Sequence, residues 1–269
     1  MSVEEELRAR ARATWAAGDW DVCSKLIAPV GELVLERAAI QPGTRVLDVG
    51  TGNGGNIAIP AARRGAEVVG VDVTPELLVT ARQRALAAGV EVEWLEADAQ
   101  DLPFPDASFD RVISTFGAMF APDHVRAAAE LVRVCAPAGR ILMTTWVTDG
   151  FVGELFKLSG SFMPPPPPGV EPPPLWGVEA HIEDVFRAAG ASPLVVRETV
   201  DFEFASAEHA IRAYADDFGP FVIAHRVLEP QGRWDEFVAA FADLVRRFDT
   251  ATDGTARIQS AYFLISIDR

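Results

Sequence analysis

The segment from Val46 to Gly55, VLDVGTGNGG, constrains this chain more than any other, because an apolar run the length of one strand passes directly into Gly50, Gly52, Gly54 and Gly55. Glycines at a strand end let the backbone turn tightly and let a ligand approach main-chain atoms with no Cβ in the way. The surrounding pattern is regular: RVLDV, AEVVGVDV, VEVEWLEAD, RVISTF and RILMTTW follow one another from Arg45 to Trp146, with helical stretches between them. Strands alternating with helices predict an α/β fold: a doubly wound, Rossmann-like sheet, mostly parallel and covered on both faces. The second crossover helix is well marked, with Thr74 as candidate N-cap, Pro75 as first residue, Leu77, Leu78 and Ala81 on one face, and Gly89 at its end. Pro60 falls inside the first crossover helix, where a missing backbone donor predicts a kink.

The flanks divide around this core. Residues 1–40 read as an N-terminal helical lid of two helices, with Glu5, Leu7, Ala11 and Trp15, then Leu26, Val30, Val34 and Leu35, near helical spacing on either side of Gly18 and Asp19. Residues 41–150 form the α/β core. The stretch 163–174, MPPPPPGVEPPP, admits neither helix nor interior strand, so 151–178 is read as a Pro-rich connector, with a ligand for a proline-binding domain as the alternative. Residues 179–269 supply the C-terminal part of the core: a helix from Glu179 to Ala189, a strand in SPLVVRETVDFEF, a helical insert over 206–250 and a last strand near AYFLISI. Two closing strands with helices between them predict an antiparallel C-terminal edge strand.

Charge and cysteine content narrow the partners. Lys plus Arg is 24 against 39 Asp plus Glu, a net charge of −15, which disfavours nucleic acid and anionic membrane surfaces. Cys23 and Cys135 show no CxxC spacing, so neither a disulfide framework nor a cysteine zinc site is expected, and no metal is expected at all. The opening MSVEEELRARAR has no apolar stretch behind it and no run of about 18 apolar residues occurs, so a cytoplasmic protein acting on a small molecule is expected. The sequence indicates no oligomeric state.

Gly50, Gly52 and Gly55 satisfy the GxGxxG spacing of dinucleotide binders, which keeps an NAD(P)-dependent oxidoreductase open. Asp48 argues against it. A carboxylate two residues before the first glycine would repel a pyrophosphate at the following helix N-terminus and attract an ammonium group. Asp72 ends the second strand about twenty residues on, where it can accept from ribose hydroxyls, and Asp98 follows the third strand, where it can accept from an adenine amino group. Three acids at successive strand ends, each matched to a different part of one ligand, point to S-adenosylmethionine.

On VLDVGTGNG, VVGVD, EADAQDLPFPDASFD and ELVRVCAPAGRILMTTW, the chain resembles the class I S-adenosylmethionine-dependent methyltransferases over about residues 41 to 147, in particular the small-molecule group that includes ubiquinone and menaquinone biosynthesis enzymes. The resemblance implies that Asp48, Gly50 and Gly52 hold the methionine part, Asp72 the ribose, and Asp98 with the Ala99 backbone the adenine. Thr51 and Asn53 in the loop and Val73 beside Asp72 complete that set, and Ser114 to Gly117 would border the methyl group. The fourth strand is not followed by Asn/Asp-Pro-Pro-aromatic or by a Pro-Cys nucleophile, which counts against methylation of adenine, glutamine or cytosine. Phe116, Met119 and Phe120, with Trp20, are candidate acceptor-wall residues, and Trp15 is a further candidate cover. Among His124, His181, His209 and His225, the candidates for a general base are His181 and His225, which follow Trp176 and Phe221. The expected reaction is in-line displacement at a sulfonium methyl, which needs alignment and exclusion of water more than it needs a base. A catalytically silent S-adenosylmethionine-binding protein is the remaining alternative.

Overall fold

The computed structural model describes residues 3–165, 167 and 169–269, so two connector prolines, Pro166 and Pro168, lie outside the described residues. The strands are β1 (Arg45–Val49), β2 (Glu67–Asp72), β3 (Glu93–Glu96), β4 (Phe109–Thr115), β5 (Cys135–Trp146), β6 (Leu194–Phe204) and β7 (Ala256–Asp268). They form one sheet in the order β3-β2-β1-β4-β5-β7-β6. The first five run parallel, and β7 runs antiparallel between β5 and β6, so an antiparallel pair closes the C-terminal side. Val46 and Leu47, neighbours that point to opposite faces of β1, are both fully buried, as a parallel strand covered on two sides requires. The strand order reverses between β1 and β4, which places a crevice outside their carboxyl ends.

The helices are α1 (Val3–Trp15), α2 (Trp20–Leu26), α3 (Ala28–Ala38), α4 (Ala58–Arg63), α5 (Pro75–Ala88), α6 (His124–Val134), α7 (Phe151–Phe162), α8 (Glu179–Ala188), α9 (Ala207–Asp217), α10 (Gly219–Leu228) and α11 (Trp234–Phe248). Two N-terminal helices were expected and three are found, because the chain breaks again at Ile27 before Pro29 in the first turn of α3. α3 is a core element: Val30, Val34, Leu35 and Ala38 are buried, and it packs on β4 and β5. α1 and α2 instead meet the helical insert, α1 on α10 and α2 on α9, with a bridge between Gly18 and Phe218. Together these pieces roof the crevice.

The kink expected at Pro60 is absent. α4 begins at Ala58, so Pro60 sits in its first turn, where the backbone N–H would have no intrahelical partner in any case. Thr74 does occupy the N-cap position of α5, but its side chain makes no capping bond; the Asp72 carboxylate accepts the Thr74 N–H at 2.9 Å instead. Among the described residues no helix is long and apolar enough to cross a membrane.

Candidate active site

The glycine loop is held by two buried acids. Asp48, at the penultimate position of β1, accepts from the Thr51 hydroxyl at 2.6 Å and from the Ala58 N–H at 3.2 Å, tying the strand end to the start of α4. Burial pushes its carboxyl up to about 7, with the hydrogen bonds from Thr51 and Ala58 opposing that rise and the nearby Asp72 adding to it. Asp72 at the end of β2 accepts from the Gly52 N–H at 2.9 Å, and burial raises its pKa as well. The Gly50 and Thr51 N–H groups both donate to the Val71 carbonyl at 2.9 Å. Gly50 has φ +72°, and a Cβ there would lie 2.6 Å from Gly117 Cα, so the loops after β1 and β4 touch backbone to backbone. Gly52 also has positive φ, +55°, but a Cβ on it would meet nothing within 4 Å. That open space belongs to a cavity of about 600 Å³.

One end of the cavity is acidic. Asp48, Gly50, Thr51, Gly52, Asn53, Asp72, Val73, Asp98 and Ala99 all line it. Asp98 lies just past β3, accepts from the Gln100 backbone and side chain, and pairs with Arg8 of α1 at 3.2 Å. Arg12 of the same helix pairs with Glu96, and Asp21 of α2 is held by Asn53 at 2.8 Å and Arg84 at 3.1 Å. The polar sides of α1 and α2 are thus latched to the tips of β1 and β3 and to α5.

The other end is aromatic. Phe116 has φ +54°, an uncommon conformation for a bulky side chain, and stacks on Trp146 with centroids 3.7 Å apart and planes 2° off parallel. Its N–H donates to the Thr144 hydroxyl at 3.1 Å, which holds the turn. Trp15 meets Phe120 edge-on at 4.6 Å and Trp20 at 5.3 Å, and Trp20 continues to Phe218 at 5.9 Å. Phe202, Phe204 and Tyr214 join this wall from β6 and α9. Burial holds the Tyr214 hydroxyl above its usual pKa and raises the Cys23 thiol to about 12, so neither is a ready base.

The structure brings most of the expected residues to one cavity and leaves four outside it. Trp20, Phe116 and Phe120 line the cavity. Ser114 and Met119 are fully buried behind it; the Ser114 hydroxyl donates to the Val49 carbonyl at 2.7 Å and accepts from the Ala118 N–H at 2.8 Å, so it braces the loop rather than facing the cavity. His225 is on the outside of α10 against Trp234, and His181 contacts His124 rather than the cavity. Among the described residues no histidine lines the cavity. The sequence alone does not single out Arg8, Tyr214 or Phe218. Arg8 sits in a polar helix whose partner is 90 residues away, and Tyr214 and Phe218 look like ordinary helical apolar positions until the insert folds back.

A family described as a methyltransferase domain matches residues 47–143. An uncharacterized protein of Mycobacterium tuberculosis, Rv1405c, is 39% identical over 224 residues, which span 82% of this chain and 81% of that protein. The demethylmenaquinone methyltransferase of Thermus thermophilus is 46% identical over 114 residues, 42% of this chain and 50% of that enzyme. A crystal structure titled as a putative methyltransferase from Bacillus halodurans superposes with a TM-score of 0.61 at 18% identity, covering 88% of this chain and 97% of that one.

Proposed function

The chain belongs to the class I S-adenosylmethionine-dependent methyltransferases, and we propose that it methylates a small, flat, fairly apolar acceptor held against the ring wall of the cavity. The observation that carries this is the polarity of the cavity, with acids and open glycine backbone at one end and Phe116, Trp146, Phe202 and Phe218 at the other. S-adenosylmethionine, bound there, supplies a methyl group activated by its sulfonium. The residues present suit it: the space in front of Gly52 is free, and three acids face a ligand with positive charge and hydroxyl and amino donors.

In this reading Asp48 attracts the ammonium end, with Gly50, Thr51, Gly52 and Asn53 shaping the loop around it. Asp72 and Val73 take the ribose, and Asp98 and Ala99 the adenine. The Phe116–Trp146 stack fixes one face of the acceptor, while Trp15, Trp20, Phe120 and Phe218 exclude water above it. With no histidine among the described residues of the wall and Tyr214 held as a phenol, the favoured acceptor carries an atom already nucleophilic near neutral pH. The GxGxxG spacing then has no nicotinamide to serve.

Calorimetric titration with S-adenosylmethionine and S-adenosylhomocysteine beside NAD and NADP, followed by a labelled-methyl screen of flat aromatic amines, thiols and acidic phenols, tests the proposal. Transfer to at least one such compound, lost on Phe116→Ala without loss of cofactor binding, is expected. Cofactor binding with transfer to none of them would leave the silent reading.

A further inference from the structure

His124, His181 and Glu171 come together away from the cavity, from three separate parts of the chain. His124 is the first residue of α6, His181 lies in the first turn of α8, and Glu171 belongs to the Pro-rich connector. His124 Nδ1 is 2.9 Å from His181 Nε2 and 3.9 Å from Glu171 Oε2, and one ligand atom from each residue falls within 4.8 Å of the others. The group is anchored from behind. The Glu171 N–H donates to the Pro122 carbonyl at 2.9 Å, its carboxylate accepts the His124 N–H at 2.7 Å, and Asp123 caps α6 through the Arg126 N–H at 2.9 Å. The His124 ring is wholly buried beside Trp176, whereas Glu171 and His181 are reachable from solvent.

We propose that His124, Glu171 and His181 form a binding site for a divalent transition-metal ion of the zinc class, which fastens the Pro-rich connector to the starts of α6 and α8. Two imidazole nitrogens and one carboxylate oxygen are a set that zinc accepts with its fourth position left to water. The same set is too rich in nitrogen for magnesium or calcium. Bonds of about 2.0–2.1 Å in a tetrahedron place ligand atoms about 3.3 Å apart, so the two imidazoles open slightly and Glu171 closes in. Side-chain rotations at the two half-buried residues, Glu171 and His181, make this adjustment. The proton between the two rings moves to the far nitrogen of the ring that now donates it; the other ring already carries its proton there, so two neutral imidazoles bind the ion without releasing any. His124 Nε2 has no hydrogen-bond partner in its buried position, so its outer contact is unsupported and the affinity is expected to be micromolar rather than picomolar. Pro122, Asp123 and Gly169, which flank these ligands in sequence, line the cavity, so the ion steadies that part of its wall without entering the transfer chemistry.

The intact chain, stripped with chelator and dialysed, is titrated with Co²⁺ by visible absorption and with Zn²⁺ by calorimetry, and its zinc content is measured by mass spectrometry. One ion per chain is expected. His181→Asn and Glu171→Gln should each weaken binding at least about tenfold, while His225→Asn leaves it unchanged. Circular dichroism and S-adenosylhomocysteine binding should stay unchanged in all three, which separates loss of the site from loss of the fold. Zinc should also slow proteolysis within the connector of the parent protein but not of His181→Asn. The absence of a saturable one-to-one site, or equal binding in the parent and both ligand variants, would overturn the proposal whatever the outcome for methyl transfer.

Discussion

Asp48 shows how a single buried carboxylate ties stability to ligand binding. Its carboxyl titrates near 7 in the folded protein against 3.8 when free, so between those values the folded chain keeps a proton that the unfolded chain has released. Stability therefore falls as pH rises through that interval and levels off above about 7. A cationic cofactor prefers the ionised form, so its affinity should climb as pH approaches about 7 and then flatten; Asp72, also raised, works in the same direction. Asp48→Asn should remove the carboxylate's share of this slope and weaken binding by about 1.5–3 kcal/mol, on the order of 10- to 100-fold. Calorimetry across pH decides it, and an unchanged slope in the variant would sink the assignment. Gly50 and Gly52 offer a contrast on the same loop. Gly50→Ala should cost stability, about 1–3 kcal/mol, because the new Cβ meets Gly117 in a left-handed conformation. Gly52→Ala carries the same left-handed strain but meets no atom, so it should lower the melting temperature less than Gly50→Ala does, yet impair cofactor binding by pointing a methyl group into the cavity. The importance of these positions was legible in the sequence; the division of labour between them was not, because it depends on Gly117, 67 residues away from Gly50.

At the scale of elements, the roof made by α1 and α2 is held by polar latches over an apolar lining. Arg8 with Asp98, Arg12 with Glu96, and Asp21 with Arg84 and Asn53 are partly exposed pairs, each worth less than about 1 kcal/mol to stability. Their effect should therefore appear in motion. The double variant Arg8→Ala, Arg12→Ala is expected to lose only a few degrees of melting temperature and to exchange cofactor faster, as read by stopped-flow displacement. Equal exchange rates would mean that the roof is held by Trp15, Trp20 and Phe218 alone. Helical spacing revealed α1, yet its acidic and basic face gave no sign of which strand tips it would meet. α3 was misassigned to the lid because an amphipathic stripe reads the same whether it packs on a sheet or on other helices.

For the whole molecule, the cavity joins segments from Leu7 in the first helix to Pro220 in the helical insert, so filling it should stabilise the fold globally. A ligand at a hundred times its Kd adds about 2.7 kcal/mol. At about 2–4 °C per kcal/mol for large single domains, S-adenosylhomocysteine should raise the melting temperature by about 5–10 °C, and NAD should not raise it. A comparable shift with NAD would contradict the cofactor. The strand order β3-β2-β1-β4-β5-β7-β6 explains why so much converges here: reversal between β1 and β4 leaves their carboxyl ends open, and the long β6–β7 ladder returns the helical insert to cover them.

The sequence by itself determined the alternation of strands and helices, the glycine loop and the three acids at strand ends, because these are local patterns whose causes lie within a few residues. Only the tertiary structure decided which side chains share a cavity and which stand behind it. Ser114 lies near the end of β4 and Met119 just beyond it, but both point into packing, whereas Arg8, Tyr214 and Phe218 reach the site from the distant helices and the α9–α10 junction. The pairing of His124 with His181 across 57 residues belongs to the same class: no spacing rule announces it, since it arises from the connector laying α8 beside α6.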